Sequence, residues 1–197
     1  SQDLGFIAIT DKDASGVARI VGFNLVVGGG MGTTHGEPET YARLADQLGY
    51  FEAAHLCAVG EAVLTTQRDF GDRTNRKHAR LKYTIADRGV DWFRGEVERR
   101  SGVKLAPPRP FVFASRGDRF GWTRGVDGNW HLTLRLVAGR IADRSEASLL
   151  SALRQLAEVH QGDFRITANQ NLVVAGISPD ARPEIERIFI ETGLAAL

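Results

Sequence analysis

The order of apolar and polar residues predicts a β-hairpin at the start of the chain. Residues 4–10 and 19–27 are rich in apolar and β-branched residues, which is the composition of strands. The segment DKDASG lies between them and contains the Asp, Ser and Gly residues typical of turns. Two strands joined by such a turn are expected to pair with each other.

Helical spacing follows in the next region of the chain. Apolar residues recur there three and four positions apart, which indicates helices. Gly49, Gly71 and Gly89 interrupt the pattern, and Asn75 and Asp91 are residue types that cap helix N-termini. Four helices are therefore predicted, over residues 38–49, 53–66, 76–88 and 91–100.

The prolines of LAPPRP, residues 105–110, predict an extended linker and a boundary between two domains, residues 1–106 and 107–197. Ser145 and Pro179 are suitable first residues for two helices in the second domain. The strand-like and helix-like segments there are residues 119–123, 130–137, 145–159, 163–167, 172–177 and 179–192. The order strand, helix, strand, strand, helix is most of a ferredoxin-like sandwich, so the predicted fold class is α+β.

The composition is ordinary for a globular protein and narrows the possible functions. The net charge of +1 and the pI of 7.9 argue against a dedicated nucleic-acid-binding protein. No apolar run approaches the roughly 20 residues that span a bilayer, and the N-terminus lacks the pattern of a signal peptide. A cytoplasmic protein without a nucleic-acid or membrane partner is expected. The strand-like start of the chain predicts that it is a piece of a longer protein.

The chain contains one cysteine, Cys57. A single thiol excludes an internal disulfide and a metal site made of cysteines alone. Cys57 falls on the apolar side of the second predicted helix, where it is expected to be a small core residue. The five histidines have no metal-ligand spacing, so no metal ligand is predicted in this chain.

Positive charge is concentrated in QRDFGDRTNRKHARLKYT, residues 67–84. Only Asp69 and Asp72 offset its six cations, which are Arg68, Arg73, Arg76, Lys77, Arg80 and Lys82. Guanidinium groups bind carboxylates through two hydrogen bonds, so an anionic partner is predicted, with a solvent-exposed helix face as the alternative. On an ideal helix Arg80 and Lys82 point about 200° apart, so they share a face only if the helix is short or ends nearby.

Two further segments are candidate ligand-binding turns. Residues 28–30, a glycine triplet followed by Gly32, lack both the GxGxxG spacing and the lysine of a Walker-type loop. A tight backbone turn facing a ligand is therefore favoured over a nucleotide loop, with an ordinary loop as the alternative. Asn169, Gln170 and Asn171 lie between two predicted strands. Their amides are able to bind carboxylates, and a plain turn is the alternative.

Five stretches of the chain together resemble the hemoprotein (beta) subunits of assimilatory sulfite reductases, in the nitrite/sulfite reductase family. They are GFNLVVGGGMGTTHGEPETYARLADQLGY, TTQRDFGDRTNRKHARLKYT, RGVDWFRGEVERRSG, GDRFGWTRGVDGNWHLTL and GDFRITANQNLVVAGI. The resemblance covers nearly the whole chain. GDFRITANQN is closer to the NADPH-dependent members than to the ferredoxin-dependent ones.

The resemblance implies a siroheme-contacting α/β sandwich domain followed by a ferredoxin-like half-domain. It also implies an enzyme of sulfur assimilation that carries siroheme bridged to a [4Fe–4S] cluster and reduces sulfite to sulfide with six electrons. The electrons would come from an NADPH-dependent flavoprotein subunit. In family members the basic stretch and the Asn-Gln-Asn turn help to hold the siroheme carboxylates. The residues expected to do so here are Arg80, Lys82 and Gln170 first, then Arg76, Lys77, Asn169 and Asn171.

The same resemblance places the family's four cluster cysteines after Leu197, and its substrate-binding Lys-x-Lys pair and two arginines before Ser1. The chain is therefore expected to be a central fragment that lacks its own cofactors and activity. One alternative is a siroheme nitrite reductase, because the residues that select the substrate lie outside the chain. Another is a non-catalytic RNA-binding module, for which Phe164 and Trp130 are the candidate aromatic residues on the sheet.

Overall fold

A computed structural model describes residues 2–145 and 147–193 of the chain. The chain divides into two compact units, Ser1–Val112 and Phe113–Leu197, each with its own sheet and core. This division lies just after the LAPPRP segment, and a domain boundary at residue 106 stays a prediction. None of the described helices is both long enough and apolar enough to cross a membrane.

The described part of the first unit combines a three-stranded antiparallel sheet with three α-helices and two short 3-10 turns. The strand order is β1-β2-β3, and the first two strands form the hairpin that the sequence predicts. The elements are β1 (Leu4–Lys12), β2 (Ala18–Val27), β3 (Asp46–Glu52), α1 (Leu56–Phe70), α2 (Leu81–Arg88) and α3 (Val90–Ser101).

The core of the first unit joins the sheet to the helices. Leu25 of β2, Val59 of α1 and Phe93 of α3 are all fully buried in one cluster. The rings of Phe6 and Phe51 pack edge to face at 5.9 Å between centroids. Fully burying a large apolar side chain stabilises a protein by about 1.5–3 kcal/mol, so this cluster is the main stabilising element of the unit.

The helix predicted over residues 38–49 is wrong. Residues 31–45 form a long loop, and strand β3 follows it. Leu44, which helical spacing places on the buried side, is 75% exposed, whereas Leu48 and Tyr50 are buried in the strand. The reason is pairing, because β3 completes its backbone hydrogen bonds along β2, and no local sequence signal reveals that partner.

The basic stretch also departs from the prediction of one helix over residues 76–88. Asn75 does cap a helical turn, since its side chain accepts a hydrogen bond from the Lys77 amide, but that turn is a 3-10 turn of three residues. Arg80 is extended, with ψ of 151°, and α2 begins only after it. The next helix, α3, begins after Gly89, whose φ is +88°, so Asp91 lies in its first turn and does not cap it.

Cys57 is exposed at the start of α1, so its predicted place in the core is wrong. The buried side of this helix is carried by Val59, Ala62, Val63 and Thr66. Cys57 precedes Val59 by two positions, which turns the two side chains to different sides of the helix.

A buried asparagine ties the segment after α3 to the sheet. Asn24 of β2 is fully buried, its Nδ2 donates to the Arg109 carbonyl at 2.7 Å, and its Oδ1 accepts from the Arg109 amide at 2.9 Å. The Arg109 guanidinium lies 4.0 Å from the centre of the Tyr50 ring. The asparagine thus pairs with both backbone groups of one residue, as a neighbouring strand would.

We expect Asn24→Ala to lower the unfolding free energy of the chain by about 2 kcal/mol, since it removes two hydrogen bonds and leaves the Arg109 backbone groups without partners. Urea denaturation followed by circular dichroism measures the change. Gln47→Ala, at an exposed position of β3, is the control and should change stability by less than about 0.5 kcal/mol. Equal stability of the two variants would contradict the anchoring role.

In its described residues the second unit has a four-stranded antiparallel sheet and two α-helices, and it confirms the ferredoxin-like α+β fold. The sheet order is β4-β5-β7-β6. Leu132, Val174 and Ile177 from the central strands share one buried cluster with Leu156 and Ile185 from the two helices. The elements are β4 (Gly121–Arg124), β5 (Trp130–Leu134), α4 (Leu149–Val159), β6 (Asp163–Ile166), β7 (Leu172–Ile177) and α5 (Arg182–Glu191).

Both helices of the second unit start later than the sequence predicts. The residue before α4 is Ser148, not Ser145, and the proline in the first turn of α5 is Pro183, not Pro179. Asp143, which precedes both serines, accepts hydrogen bonds from the amide and hydroxyl of Ser151 and so ties the segment before α4 to its first turn. Glu146 and residues 194–197 lie outside the described residues.

Candidate functional site

The first candidate site surrounds the glycine loop, residues 28–32, which follows β2. Gly28 has a φ of +74°, a conformation that glycine adopts without strain. Three cationic side chains, from Arg43, Arg80 and Lys82, donate hydrogen bonds to carbonyls of this loop. The loop leads into irregular backbone and then β3, so the helix predicted after it is absent. The loop is thus a tight turn whose carbonyls are tied to fixed positive charges.

Arg43 is a site residue that the sequence does not reveal, because it falls within the wrongly predicted helix. Its Nη1 donates to the Gly28 carbonyl at 3.0 Å, and its Nη2 pairs with Asp46. Its backbone exchanges two hydrogen bonds with Gly30, at 2.8 and 2.9 Å. Arg43 therefore fixes both ends of the glycine triplet.

Lys82 is a buried cation without a carboxylate partner among the described residues. Its side chain is enclosed, with 1% of the residue exposed. Its Nζ donates to the carbonyls of Gly32 at 2.9 Å, Gly30 at 3.4 Å and Tyr41. The Tyr83 ring centre lies 4.9 Å from Nζ, which adds a favourable cation–π interaction. All three ammonium hydrogens have partners, so Lys82 holds the loop and contributes charge to the site.

Arg80 lies beside the same loop and is partly exposed. It makes two hydrogen bonds to the Asp3 carboxylate, at 2.7 and 3.2 Å, and its Nη2 also donates to the Gly29 carbonyl at 3.2 Å. The bond to Asp3 raises the pKa of the guanidinium above its usual value. A Cβ atom on Gly30 would lie 2.6 Å from Nη2, so any other residue at this position would push the guanidinium from its present place. Within the described part of the chain, Nη1 of Arg80 donates no hydrogen bond.

Arg80 and Lys82 therefore meet at one loop, although ideal helical geometry places them far apart. The reason is the extended backbone at Arg80, which lies before α2, whereas Lys82 lies in its first turn. The sequence allows Arg80 and Lys82 to share a face only if a helix end lies near them, and here the N-terminus of α2 lies between the two residues.

The other two basic candidates differ from each other. Arg76 is exposed, and its guanidinium has no hydrogen bond or ion pair with any residue that the structure describes. Lys77 is paired with Glu37, which lies in the loop after the glycines. His78, the residue after Lys77, stacks on the ring of Tyr83, with 4.2 Å between the two ring centres. Arg76 is therefore available to an added anion. Lys77 could bind such an anion only after its ion pair with Glu37 breaks.

The second candidate site is the Asn-Gln-Asn turn between β6 and β7, in the second unit. Asp118 organises it: one carboxylate oxygen accepts from Thr167 Oγ1 and Asn171 Nδ2, both at 2.7 Å, and the other accepts from Asn169 Nδ2 at 3.1 Å. These bonds, the one from Asn171 above all, hold the pKa of Asp118 below its usual value. Asp118 has no signal in the sequence, since it lies in an irregular segment 49 residues before Thr167.

The three amides of this turn have different roles. Asn171 is buried, and its Oδ1 also accepts from the Leu136 amide at 2.9 Å. Asn169 donates to Asp118 and to the Arg116 carbonyl. Gln170 is exposed, and its side-chain amide makes no hydrogen bond within residues 2–145 and 147–193. Only Gln170 of the three has its amide free for a ligand.

Metal ligands are not grouped in the described residues. No set of three or more His, Cys, Asp or Glu side chains there is placed to hold a metal ion. The chain's single cysteine, Cys57, is exposed on α1. The chemistry of the two sites is therefore that of cations and amides, which suits an anionic ligand with several carboxylates.

Both units match models of known protein domains. Residues 1–105 match the nitrite and sulphite reductase 4Fe-4S domain, and residues 124–191 match the nitrite/sulfite reductase ferredoxin-like half domain. The chain belongs to the nitrite and sulphite reductase family, which confirms the resemblance seen in its sequence motifs.

Its relatives within the family are more specific. The chain is 59% identical over 185 residues to the sulfite reductase (NADPH) hemoprotein beta-component of Myxococcus xanthus, a match that covers 94% of the chain and 32% of the relative. It is 52% identical over 195 residues to the protein of the same name from Xylella fastidiosa, covering 98% and 33%. The chain thus spans about a third of the length of the curated relatives it matches.

A solved structure has the same fold. The Mycobacterium tuberculosis NirA protein superimposes with a TM-score of 0.73 at 27% sequence identity, covering 99% of this chain and 34% of NirA.

Proposed function

We propose that this chain is the central part of a siroheme-dependent sulfite reductase hemoprotein subunit, which reduces sulfite to sulfide with six electrons. The observation that carries the proposal is the group of three cations, Arg43, Arg80 and Lys82, around one glycine loop. Among the residues that the structure describes, Asp3 and Asp46 are the carboxylates that pair with them, so positive charge remains for an anionic ligand. The names of the relatives support sulfite as the substrate of the whole protein.

Siroheme carries eight carboxylates, and the residues around the glycine loop suit it. Arg80 Nη1 has no hydrogen-bond partner in the described part of the chain, and Asp3 fixes the guanidinium, so Arg80 is prepared to bind a carboxylate with little loss of side-chain entropy. Arg76 is exposed and unpaired among the described residues. Lys82 adds charge and holds the loop, and Lys77 would contribute after leaving Glu37.

The second unit would contribute amides. Gln170 has a free side-chain amide that can donate to a carboxylate, whereas Asn169 and Asn171 already bond to Asp118 and would support the turn. When bound, siroheme and a [4Fe–4S] cluster would supply the redox chemistry of the reaction. The residues of this chain bind and orient the cofactor's carboxylates.

The cluster itself does not fit this chain. A [4Fe–4S] cluster takes four thiolates, and the chain has one cysteine. The cluster thiolates, like the substrate-binding lysines and arginines implied by the family resemblance, would come from residues other than these 197. We therefore propose that the chain alone binds no cluster and reduces no sulfite.

The proposed partners follow from the relatives' names and the family resemblance. They are sulfite as substrate and an NADPH-dependent flavoprotein subunit as electron donor, in the cytoplasm, without a nucleic-acid or membrane partner. A siroheme nitrite reductase is the second candidate, because the matching family model covers both substrates. Comparing kcat/KM for sulfite and nitrite in the full-length protein separates the two, and a higher value for nitrite would overturn the first choice.

We expect Arg80→Ala in the full-length protein to retain about tenfold less siroheme. A hydrogen bond to a charged group contributes roughly 1.5–3 kcal/mol, and 1.4 kcal/mol is a factor of about ten in binding. Arg80→Glu should retain even less, because it places a carboxylate beside those of the ligand. The measurement is siroheme absorbance per mole of purified protein.

The matched control is Arg68→Ala. Arg68 belongs to the same basic stretch, is exposed, and pairs with its neighbour Asp69, whereas Arg80 pairs with Asp3 and donates to the glycine loop. Its replacement should leave siroheme content unchanged. Full occupancy in Arg80→Glu would mean that Arg80 is only a surface residue paired with Asp3.

A further inference from the structure

Gln170 has a strained backbone in the turn from residue 167 to 171. Its φ is +64°, which is uncommon for any residue other than glycine. The Thr167 amide donates to the Asn171 carbonyl at 2.9 Å, and the Gln170 amide donates to the Thr167 carbonyl at 3.1 Å. These bonds define a hairpin loop of three residues, whose last position normally holds glycine. The turn itself therefore gives no reason for a glutamine there.

Strained residues persist where their surroundings force the conformation, and they are frequent at ligand sites. Here the surroundings are the side chains on either side of Gln170, since Asn169 and Asn171 both donate to Asp118. Thr167, at the start of the turn, donates to the same carboxylate and accepts from the backbone amides of both asparagines. Every polar side chain of the turn except that of Gln170 is thus tied to Asp118.

The side chain of Gln170 also has a fixed neighbour. A Cβ atom on Gly139 would lie 3.1 Å from Cβ of Gln170 and 3.3 Å from its Oε1. Gly139 itself has a φ of +66° and follows Leu136, whose amide bonds to Asn171. The glutamine side chain therefore lies against a bare backbone surface that is joined to the same turn.

We propose that Asp118 is a positioning residue for cofactor binding, which holds the 167–171 turn so that the Gln170 amide is presented to a carboxylate of siroheme. This inference rests on the proposed function, because Asp118 would act by holding the turn that binds siroheme. Asp118 does not touch the ligand. Its three accepted hydrogen bonds set the backbone that fixes where the Gln170 amide lies.

The test uses the full-length protein and compares Asp118→Asn with Asp127→Asn. The amide keeps the size of the carboxylate but replaces one acceptor oxygen by a donor, so it cannot accept from all three partners. Asp127 is the matched control, since its carboxylate accepts two hydrogen bonds from Asn129 in the β4–β5 turn of the same unit. We expect about tenfold less siroheme per mole of Asp118→Asn and an unchanged content in Asp127→Asn.

The double variant separates positioning from simple structural support. If Asp118 acts through Gln170, then Asp118→Asn, Gln170→Ala and the double variant should all retain the same amount of siroheme. They should also shift the absorption maximum of the remaining siroheme in the same way. Independent losses that multiply in the double variant would overturn the proposal, as would full retention in either single variant.

A further variant keeps the test decisive if Asp118→Asn does not fold. Gln170→Gly suits the left-handed backbone, so it should fold at least as well as the parent and still lose siroheme. Retention by Gln170→Gly would overturn the proposal. If Arg80→Ala loses siroheme while Gln170→Gly and Asp118→Asn keep it, the proposed function stands and the role of Asp118 is refuted. A parent protein that takes up no siroheme refutes both.

Discussion

Replacing Lys82 by methionine is expected to lower the unfolding free energy of the chain by about 3 kcal/mol. The change keeps most of the length of the side chain and removes the donors that hold the carbonyls of Gly30, Gly32 and Tyr41. A buried acceptor left without a partner costs about 1–3 kcal/mol. The expected loss of stability is smaller than the summed cost of three unpaired carbonyls. Part of the loop can hydrate, and the protein no longer has to stabilise a buried charge.

Lys77→Met is the control for this prediction. Lys77 is in the same basic stretch, but its side chain is 52% exposed and its ion pair with Glu37 is at the surface. Exposed pairs contribute about 0–1 kcal/mol, so this variant should remain close to the parent. Urea denaturation followed by circular dichroism measures both. If Lys82→Met is as stable as Lys77→Met, the ammonium does not hold the glycine loop.

The second large effect is expected at Gly28, where alanine should cost about 2–5 kcal/mol. Two terms combine at this position. A non-glycine residue at a φ of +74° is strained by about 1–3 kcal/mol. Its Cβ would also lie 2.8 Å from Arg43 Nη1 and 2.8 Å from Cδ1 of Ile85, which is a buried core residue, so the core must shift.

Gly32→Ala is the matched control within the same loop. Gly32 does not have a positive φ, and the nearest atom to an added Cβ is Arg80 Nη1, at 3.9 Å, which is ordinary contact. Its replacement should change stability by less than about 0.5 kcal/mol. Thermal unfolding of the two variants gives the comparison. Equal melting temperatures would show that the glycine triplet is not tightly held.

Much of the fold is predictable from local sequence. The β1–β2 hairpin, the helix after Ala53, the stop at Gly89 and the β6–β7 pair all follow from residue types and spacing. These signals work because caps, turns and alternating burial act over a few residues. The predicted helix at residues 38–49 fails for the opposite reason, since β3 depends on a partner strand about 25 residues earlier in the chain.

The candidate sites show the same division. The sequence by itself determined that cations are concentrated in residues 67–84, that three amides stand in one turn, and that one cysteine cannot hold a cluster, because these are matters of composition. Only the tertiary structure decided which of these groups are free. It buried Lys82 against three carbonyls, tied Asn169 and Asn171 to Asp118, and left Arg76, Nη1 of Arg80 and the Gln170 amide available among the described residues. The physical reason is that a polar group removed from water must find a partner, and most of these partners lie dozens of residues away in the chain.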